Sequence, residues 1–340
     1  MKKLLTIALS LVMIFSMTAV SFADVTDDAE KTHSDMSNVT ITKHYVKVGS
    51  TANSPKEEFN FNIVRTNVSD AASGVTKENM PIPTIEGVEF ESSTSEQSQN
   101  ITVSLPMYTS VGIYTYTITE DATNATAGVD YYSTPIRLVV TVAQDDNGLI
   151  RVAAVHTETG TGAIKSNEIT NTYSAGKLTI TKNVVGLLGD RSKTFEVDVT
   201  FTKPAGETIR STITTDYVID GNGNTLQISP NDWSDQGTYT TTVEVTDDTV
   251  INFNNIPYGV TYSVQEKTYA DYETTYQYSD DGATKTINSD DESVTIVNAK
   301  GGTIDTGIFF DNGIYIAILA IVLIAAAAFI IRKRQHRYDA

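Results

Sequence analysis

Apolar and polar residues alternate along most of the chain between residues 38 and 298. The alternation is clearest in three stretches, which read FNFNI at residues 59–63, YTYTI at 114–118 and FEVDV at 195–199. A period of two places successive side chains on opposite faces of a strand, so these stretches predict half-buried β-strands. The sequence contains no long amphipathic helical pattern between them. The chain is therefore predicted to be all-β.

Clusters of Gly, Asn and Asp separate the predicted strands. They lie at residues 145–148 (DDNG), 220–223 (DGNG) and 280–282 (DDG). Many short strands joined by such turns are typical of Ig-like β-sandwiches. A chain of 340 residues is long enough for two of them in tandem.

An internal sequence repeat supports two domains. Three segments of the first half recur in the second, namely 39–43 (VTITK) as 178–182 (LTITK), 112–120 (GIYTYTITE) loosely as 259–266 (GVTYSVQE), and 168–171 (EITN) as 295–298 (TIVN). Each predicted domain thus begins with a Lys strand, continues through a Glu strand and ends with an Asn strand. The domains are predicted at residues 24–174 and 175–300, with the boundary near 173–176.

The N-terminus has the pattern of an export signal. Lys2 and Lys3 precede an apolar segment at residues 4–20, and residues 21–23 (SFA) form a small-x-small cleavage site. Residues 1–23 are therefore predicted to be a signal peptide, which places the rest of the protein outside the cytoplasm.

The C-terminal segment, residues 301–340, combines a Thr-Gly pair, an uncharged apolar run at 314–331 and a basic tail at 332–340. The apolar run is long enough to cross a bilayer as a helix, and the basic tail would stay in the cytoplasm. Together these parts resemble a sortase cell-wall sorting signal with its motif at 303–307. That resemblance implies cleavage between Thr306 and Gly307, so the membrane anchor would be temporary. The alternative is a plain C-terminal membrane anchor.

Composition narrows the functional classes. The chain has 24 Lys and Arg against 42 Asp and Glu, a net charge of −18, which disfavours nucleic acid as a partner. It has no cysteine, so an exported protein of this sequence must be stabilised without disulfides. The histidines show no metal-ligand spacing, and neither a Ser/His/Asp nor a Cys/His set is present. We therefore expect no cofactor, no metal and no enzymatic turnover of an external substrate.

Three polar residues in each half share a strand face with apolar residues. They are Lys43, Glu120 and Asn171 in the first half and Lys182, Glu266 and Asn298 in the second. Burying Lys or Glu costs free energy unless the group is paired or neutralised. One interpretation is a buried Lys–Glu salt bridge with a hydrogen-bonded Asn, or residues placed at strand ends.

The other interpretation is chemical. Burial lowers the pKa of Lys and raises that of Glu, and a neutral amine is a nucleophile. It can attack an Asn carboxamide while a protonated Glu polarises the carbonyl and shuttles protons. Ammonia leaves, and an amide then joins the first and last strands of the domain.

The segment KLTITKNVVG at residues 177–186, followed by GDRSKTF at 189–195, resembles the start of the second domain in streptococcal T-antigen-type major pilins. That family has shafts of Ig-like (Cna-B-type) domains with internal Lys–Asn isopeptide bonds. The resemblance implies two such bonds, Lys43–Asn171 with Glu120 as the catalytic acid and Lys182–Asn298 with Glu266. It also implies an acceptor lysine just before the last strand of the first domain, a position that Lys165 occupies.

These observations predict the shaft subunit of a covalently polymerised pilus on the cell wall of a Gram-positive bacterium. Its partners would be a sortase, further copies of itself and peptidoglycan, with minor pilins and a host ligand in addition. Two alternatives are a monomeric anchored adhesin that binds a host ligand and an exported enzyme. The absence of a catalytic cluster argues against the enzyme.

Overall fold

The computed structural model describes residues 35–159, 164–279, 285–302 and 320–324. Within these ranges the chain forms twenty β-strands and one short 3-10 helix, Pro230–Asp232, with a further helical segment at 320–324. The all-β prediction is confirmed.

The predicted signal peptide at residues 1–23 lies outside the described residues, as does most of the predicted membrane span at 314–331. No helix in the described ranges has the length and apolarity that a bilayer crossing requires. The two terminal segments therefore stay predictions.

The first half of the chain supplies the strands up to β11. These are β1 (Asn38–Val48), β2 (Glu57–Phe59), β3 (Phe61–Ser69), β4 (Thr84–Ile85), β5 (Val88–Phe90), β6 (Gln97–Ser104), β7 (Gly112–Glu120), β8 (Val129–Asp130), β9 (Ile136–Gln144), β10 (Ile150–Thr159) and β11 (Ile164–Lys165).

The second half supplies the remaining strands. These are β12 (Glu168–Val185), β13 (Phe195–Thr202), β14 (Ile213–Val218), β15 (Thr225–Ile228), β16 (Thr238–Val245), β17 (Val250–Pro257), β18 (Thr261–Glu266), β19 (Glu273–Tyr278) and β20 (Asp291–Ala299).

The first half packs one sheet against another. A sheet in the order β11-β10-β9-β7-β3 covers the strands β4, β6, β1 and the first part of β12. Apolar side chains from both sheets, among them Ile41 of β1, Tyr116 of β7 and Leu138 of β9, form one buried cluster. The prediction of half-buried strands from the alternating pattern is confirmed in this half, because every second residue points into this core.

The second half repeats the arrangement with a smaller opposing sheet. The sheet β16-β13-β18 covers the strands β14, β17, β20 and the second part of β12. The core between them includes Val199 of β13, Phe253 of β17 and Ile296 of β20.

The strand β12 belongs to both halves. Its residues Thr172 and Tyr173 pair with β8, and residues 168–174 pair in parallel with β1. Further along, the same strand pairs with β17 and, over residues 177–185, in parallel with β20. The boundary predicted near 173–176 thus falls inside a continuous strand of 18 residues.

Gly176 explains why this point resembles a boundary in the sequence. The pairing of β12 with β17 shifts register between Gly176 and Leu178. A Cβ atom on Gly176 would lie 2.2 Å from the backbone oxygen of Ser289. The glycine therefore marks a bulge and a close backbone approach within a strand.

Polar contacts tie the two halves together beside β12. Asn255, at the end of β17, accepts hydrogen bonds at Oδ1 from the Asn53 N–H and the Tyr173 hydroxyl, at 2.9 and 3.2 Å. Its Nδ2 donates to the backbone oxygen of Thr212 at 3.0 Å. Asn255 adopts φ +60°, a left-handed conformation that Asn tolerates better than most residues. This junction is held by side chains from both halves as well as by the shared strand.

Candidate functional site

Two buried lysines sit at equivalent places in the two halves. Lys43 of β1 and Lys182 of β12 are each 0% exposed, among the largest fully buried side chains of the described residues. Both lie on strands whose flanking residues alternate between buried and partly exposed. The strand period places each lysine on the core face, as predicted from the sequence.

Parallel strand pairing brings each lysine near its asparagine. In the first half Lys43 is opposite Ile169, and Asn171 is opposite Tyr45. Each pair is therefore offset by two residues on neighbouring parallel strands, so that both side chains stand on the same face.

The second half has the same register. Lys182 is opposite Ile296, and Asn298 is opposite Val184. The glutamates come from the covering sheets, since Glu120 ends β7 and Glu266 ends β18. The structure thus brings together both predicted triads.

In the first triad all three side chains are in hydrogen-bond contact. Lys43 Nζ donates to Glu120 Oε2 at 2.6 Å and to Asn171 Oδ1 at 2.5 Å. Asn171 Nδ2 donates to Glu120 Oε1. The side chains of Lys43 and Glu120 are both 0% exposed. The amine, the carboxyl and the carboxamide therefore form a closed ring shielded from water.

Burial shifts the pKa values of the first triad toward its neutral forms. It lowers the pKa of Lys43 from 10.5 to about 8, against the opposing attraction of Glu120. It raises the pKa of Glu120 above its ordinary value, although Lys43 and Asn171 act in the other direction. A neutral amine has the lone pair that attack on a carbonyl requires, and a protonated carboxyl can deliver a proton.

The second triad is less tightly bonded. Lys182 Nζ lies 3.0 Å from Glu266 Oε2, with both side chains 0% exposed, but without the alignment of a hydrogen bond. Asn298 Nδ2 donates to Glu266 Oε1 at 2.5 Å, and the Thr274 hydroxyl donates to the same oxygen at 3.3 Å. Burial lowers the pKa of Lys182. The three groups that the same reaction requires are therefore present in the second triad.

Aromatic rings lie close to both amines. Lys43 Nζ lies 4.7 Å from the ring centroid of Phe59 and 5.7 Å from that of Phe61, and Lys182 Nζ lies 4.5 Å from that of Phe195. These rings exclude water while their π faces tolerate a cation before reaction. Sequence reasoning missed this role, although a phenylalanine begins or ends the strand that follows the lysine strand in each half.

Lys165 belongs to neither triad. It lies exposed on β11, opposite Glu158 of β10 in the strand register. An exposed amine just before β12 is accessible to another protein. Thr306 and Gly307, the residues of the predicted sorting motif, lie outside the described residues.

Two family matches cover most of the described chain. Residues 39–174 match the family described as "Spy0128-like isopeptide containing domain". Residues 176–300 match the family described as "Domain of unknown function (DUF7601)". The two matches meet within β12.

Individual proteins give a consistent result. The chain is 27% identical over 337 residues to a protein named "Pilin" from Streptococcus pyogenes serotype M1, a match that covers 93% of this chain and 96% of that protein. The crystal structure of the major pilin from Streptococcus pyogenes has the same fold, with a TM-score of 0.50 at 22% identity over 78% of this chain and 99% of the pilin. The resemblance drawn from the sequence is thereby confirmed: the chain is a homologue of a streptococcal pilin, and its residues 39–174 match an isopeptide-containing domain.

Proposed function

We propose that this chain is the repeated shaft subunit of a covalently polymerised pilus on a Gram-positive cell wall, with each of two Ig-like domains locked by a Lys–Asn amide. The observation that carries the proposal is the pair of buried Lys-Glu-Asn triads at equivalent registers. A structural salt bridge would explain one triad, but it would not require a carboxamide against the pair in both domains. The similarity to a pilin along nearly the whole chain supports the same function.

The reaction at each triad is an amide exchange. In the first triad the neutral Nζ of Lys43 attacks Cγ of Asn171. Protonated Glu120 gives its proton to Nδ2, the Cγ–Nδ2 bond breaks and ammonia leaves, and the Glu120 carboxylate then takes the excess proton from Nζ. Lys182, Asn298 and Glu266 do the same in the second triad. The protein turns over no external substrate, because each site acts once and on itself.

Polymerisation would join Thr306 of one subunit to Lys165 of another. A sortase would cleave between Thr306 and Gly307 and join the Thr306 carbonyl to the Lys165 amine of the next copy. The last subunit would pass to peptidoglycan, so the fibre is extracellular and the membrane anchor is temporary. Minor pilins and a host ligand are further expected partners.

Intact mass tests the internal bonds. The folded wild-type protein should be lighter than its sequence by two ammonia molecules. Glu120→Ala and Glu266→Ala should each restore one ammonia, because the proton shuttle is lost while Lys and Asn remain. Glu89→Ala, which removes an exposed glutamate paired with Lys56, serves as the control and should leave the mass deficit at two. A wild-type mass equal to that of the sequence would exclude both bonds.

An immunoblot of cell-wall extract tests polymerisation. Wild-type protein should give a ladder that survives boiling in detergent. Lys165→Arg should abolish the ladder and leave single subunits on the wall, whereas Lys77→Arg, at another exposed lysine of the first domain, should not. Thr306→Ala should leave the protein in the membrane fraction. One sharp band from the wild type would instead favour the monomeric adhesin.

A further inference from the structure

The carbonyl oxygen of Asn171 accepts two hydrogen bonds. One comes from Lys43 Nζ at 2.5 Å, and the other comes from the backbone N–H of Tyr132 at 2.8 Å. The carboxamide orientation is consistent with both, because its Nδ2 is directed at Glu120 Oε1. The second donor belongs to a residue outside the triad.

The two donors differ in what happens to them during reaction. Lys43 Nζ must turn its lone pair toward Cγ of Asn171, so its hydrogen bond to Oδ1 is lost as the new bond forms. Negative charge then develops on Oδ1 in the tetrahedral intermediate. Of the two donors that the structure gives this oxygen, only the Tyr132 N–H is not itself a reactant. A fixed donor at such an oxygen stabilises the transition state more than the ground state.

We propose that the backbone N–H of Tyr132 is the oxyanion donor for formation of the Lys43–Asn171 amide. The proposal rests on the isopeptide chemistry of the proposed function and adds a catalytic group to it. This hydrogen bond changes none of the proton transfers in the reaction, since the Tyr132 N–H donates it throughout and transfers no proton. Nζ gains the Cγ bond, Nδ2 leaves as ammonia and Oδ1 returns to a carbonyl.

The peptide that carries this N–H is held by the two residues before it. β8 pairs with β12, with Asp130 opposite Thr172. The Tyr131 hydroxyl donates to the buried Glu57 Oε1 at 3.0 Å and accepts from the Thr126 N–H at 3.1 Å. The Tyr131 ring also packs edge-on against Phe59, with centroids 5.8 Å apart. The donor is therefore preorganised by contacts that do not depend on the reacting groups.

In the part of the chain that the structure describes, the second triad has no equivalent backbone donor at its asparagine oxygen. Among the described residues, Asn298 Oδ1 has no hydrogen-bond partner. The two sites of one chain therefore differ in oxyanion stabilisation while sharing the Lys, Glu and Asn. The rate at which the second bond forms can then serve as an internal control for folding and for the solution conditions of each sample.

Two substitutions at residue 132 separate the N–H from the side chain. Tyr132→Pro removes the N–H, and Tyr132→Ala keeps it. Full-length chain recovered unfolded from inclusion bodies, with no ammonia lost, is refolded by dilution, and the Lys43–Asn171 and Lys182–Asn298 cross-linked peptides are measured against time. We expect Tyr132→Pro to slow the first bond by about 10²- to 10³-fold, the effect of losing one oxyanion-hole donor. Tyr132→Ala should close it at close to the wild-type rate, and the second bond should be unchanged in both.

Equal rates for the Pro and Ala variants would overturn the proposal. If the Pro variant does not fold, shown by failure of its second bond to form, the α-hydroxy acid analogue of tyrosine at position 132 replaces the N–H by an ester oxygen and leaves the backbone free. A wild-type rate for that ester would likewise exclude the oxyanion donor. Absence of the Lys43–Asn171 peptide from the wild type itself would refute the proposed function, a result distinct from failure of this inference.

Discussion

At the scale of single residues, the burial of Lys43 determines what the first site can do. Its amine and the Glu120 carboxyl are 2.6 Å apart with no exposed surface on either side chain. Removing one partner of such a pair leaves an uncompensated buried charge, which costs about 3–5 kcal/mol. Formation of the proposed amide would remove the problem, because the amine would become neutral and the carboxyl would keep a proton. In the proposed function the polar core is thus an intermediate arrangement that the reaction would convert into a neutral one.

The rate of closure of the Lys43–Asn171 bond should pass through a maximum and fall above about pH 8. The reactive form holds one proton on the pair, on Glu120 while the amine is neutral. Below the raised pKa of Glu120 both groups are protonated and the amine is a cation. Above the pKa of Lys43, about 8, neither group holds a proton and the acid is lost. Refolding into buffers that bracket pH 8 and timing the cross-linked peptide would measure this.

The matched comparison for the pH profile is the overall folding rate, followed by tyrosine fluorescence in the same samples. Folding without closure at high pH is the expected result. A closure rate that keeps rising above pH 8 would show that a neutral amine suffices and that Glu120 delivers no proton.

The sequence predicts the triad residues but not the groups around them. Strand period alone places Lys43, Glu120 and Asn171 on the core face, because a period of two leaves only two possible faces. The Tyr132 N–H has no such signal, since every residue except proline carries a backbone donor and only tertiary packing directs this one. The aromatic contacts of Lys43 depend equally on how two sheets meet.

At the scale of elements, the proposed cross-links would join neighbouring parallel strands. A bond between Lys43 and Asn171 would connect β1 to β12, and one between Lys182 and Asn298 would connect β12 to β20. Both bonds would therefore attach to β12. When load pulls two parallel strands past one another, the hydrogen bonds between them break together, whereas an amide between the same strands would hold.

Asn171→Ala should destabilise the first domain by about 5 kcal/mol in the entropic account of cross-links, because the bond closes a loop of 128 residues. This variant keeps the Lys43–Glu120 pair and so avoids leaving an unpaired buried charge. Calorimetry should show a lower Tm, and trypsin should cut the domain faster. Asn167→Ala, an exposed position just before β12, should leave both properties unchanged. Equal stability of the Asn171→Ala variant and the wild type would exclude the cross-link as a stabilising element.

The sequence could not reveal that β12 is a single strand shared by both halves of the structure. Gly176 and the small residues before it indicate a domain boundary in the sequence. The residues on each side of them, EITN at 168–171 and LTITK at 178–182, also recur separately elsewhere in the chain. Whether such a glycine ends a strand or forms a bulge depends on the partner strand, here β17, which lies about 75 residues further on. Local pattern carries no information about a pairing at that separation.

At the scale of the whole molecule, β12 lies on the path of tension. In a fibre joined through Thr306 and Lys165, load would enter after β20, cross from Asn298 to Lys182 and follow β12 back to Lys165. At about 3.3 Å per residue the strand spans about 60 Å. The rest of the first domain would carry none of this load, and the hydrogen bonds around Asn255 would keep it attached.

Pulling a single subunit between residue 165 and the C-terminal end of β20 should therefore give no unfolding step in the wild type. Asn298→Ala should give a step at ordinary unfolding forces, with the extension of the second domain, because β12 and β20 can then separate by shear. Asn171→Ala should behave like the wild type under this geometry, since its bond lies off the path. An extension of full second-domain length in the wild type would rule out the covalent path.

The shared strand also sets an order of events in time. A polypeptide emerges N-terminus first, whether from a ribosome or an export channel, so β1 waits until β12 has appeared before its domain can close. When it closes, the second part of the same strand is already extended and fixed at one end. The later-emerging β17 and β20 then add to an existing edge and need not find one another in solution. The folded first half would in this way act as a template for the second, and a defect in its folding, as distinct from slow bond formation within it, would delay the second half, although among the described residues the two cores share no side chain.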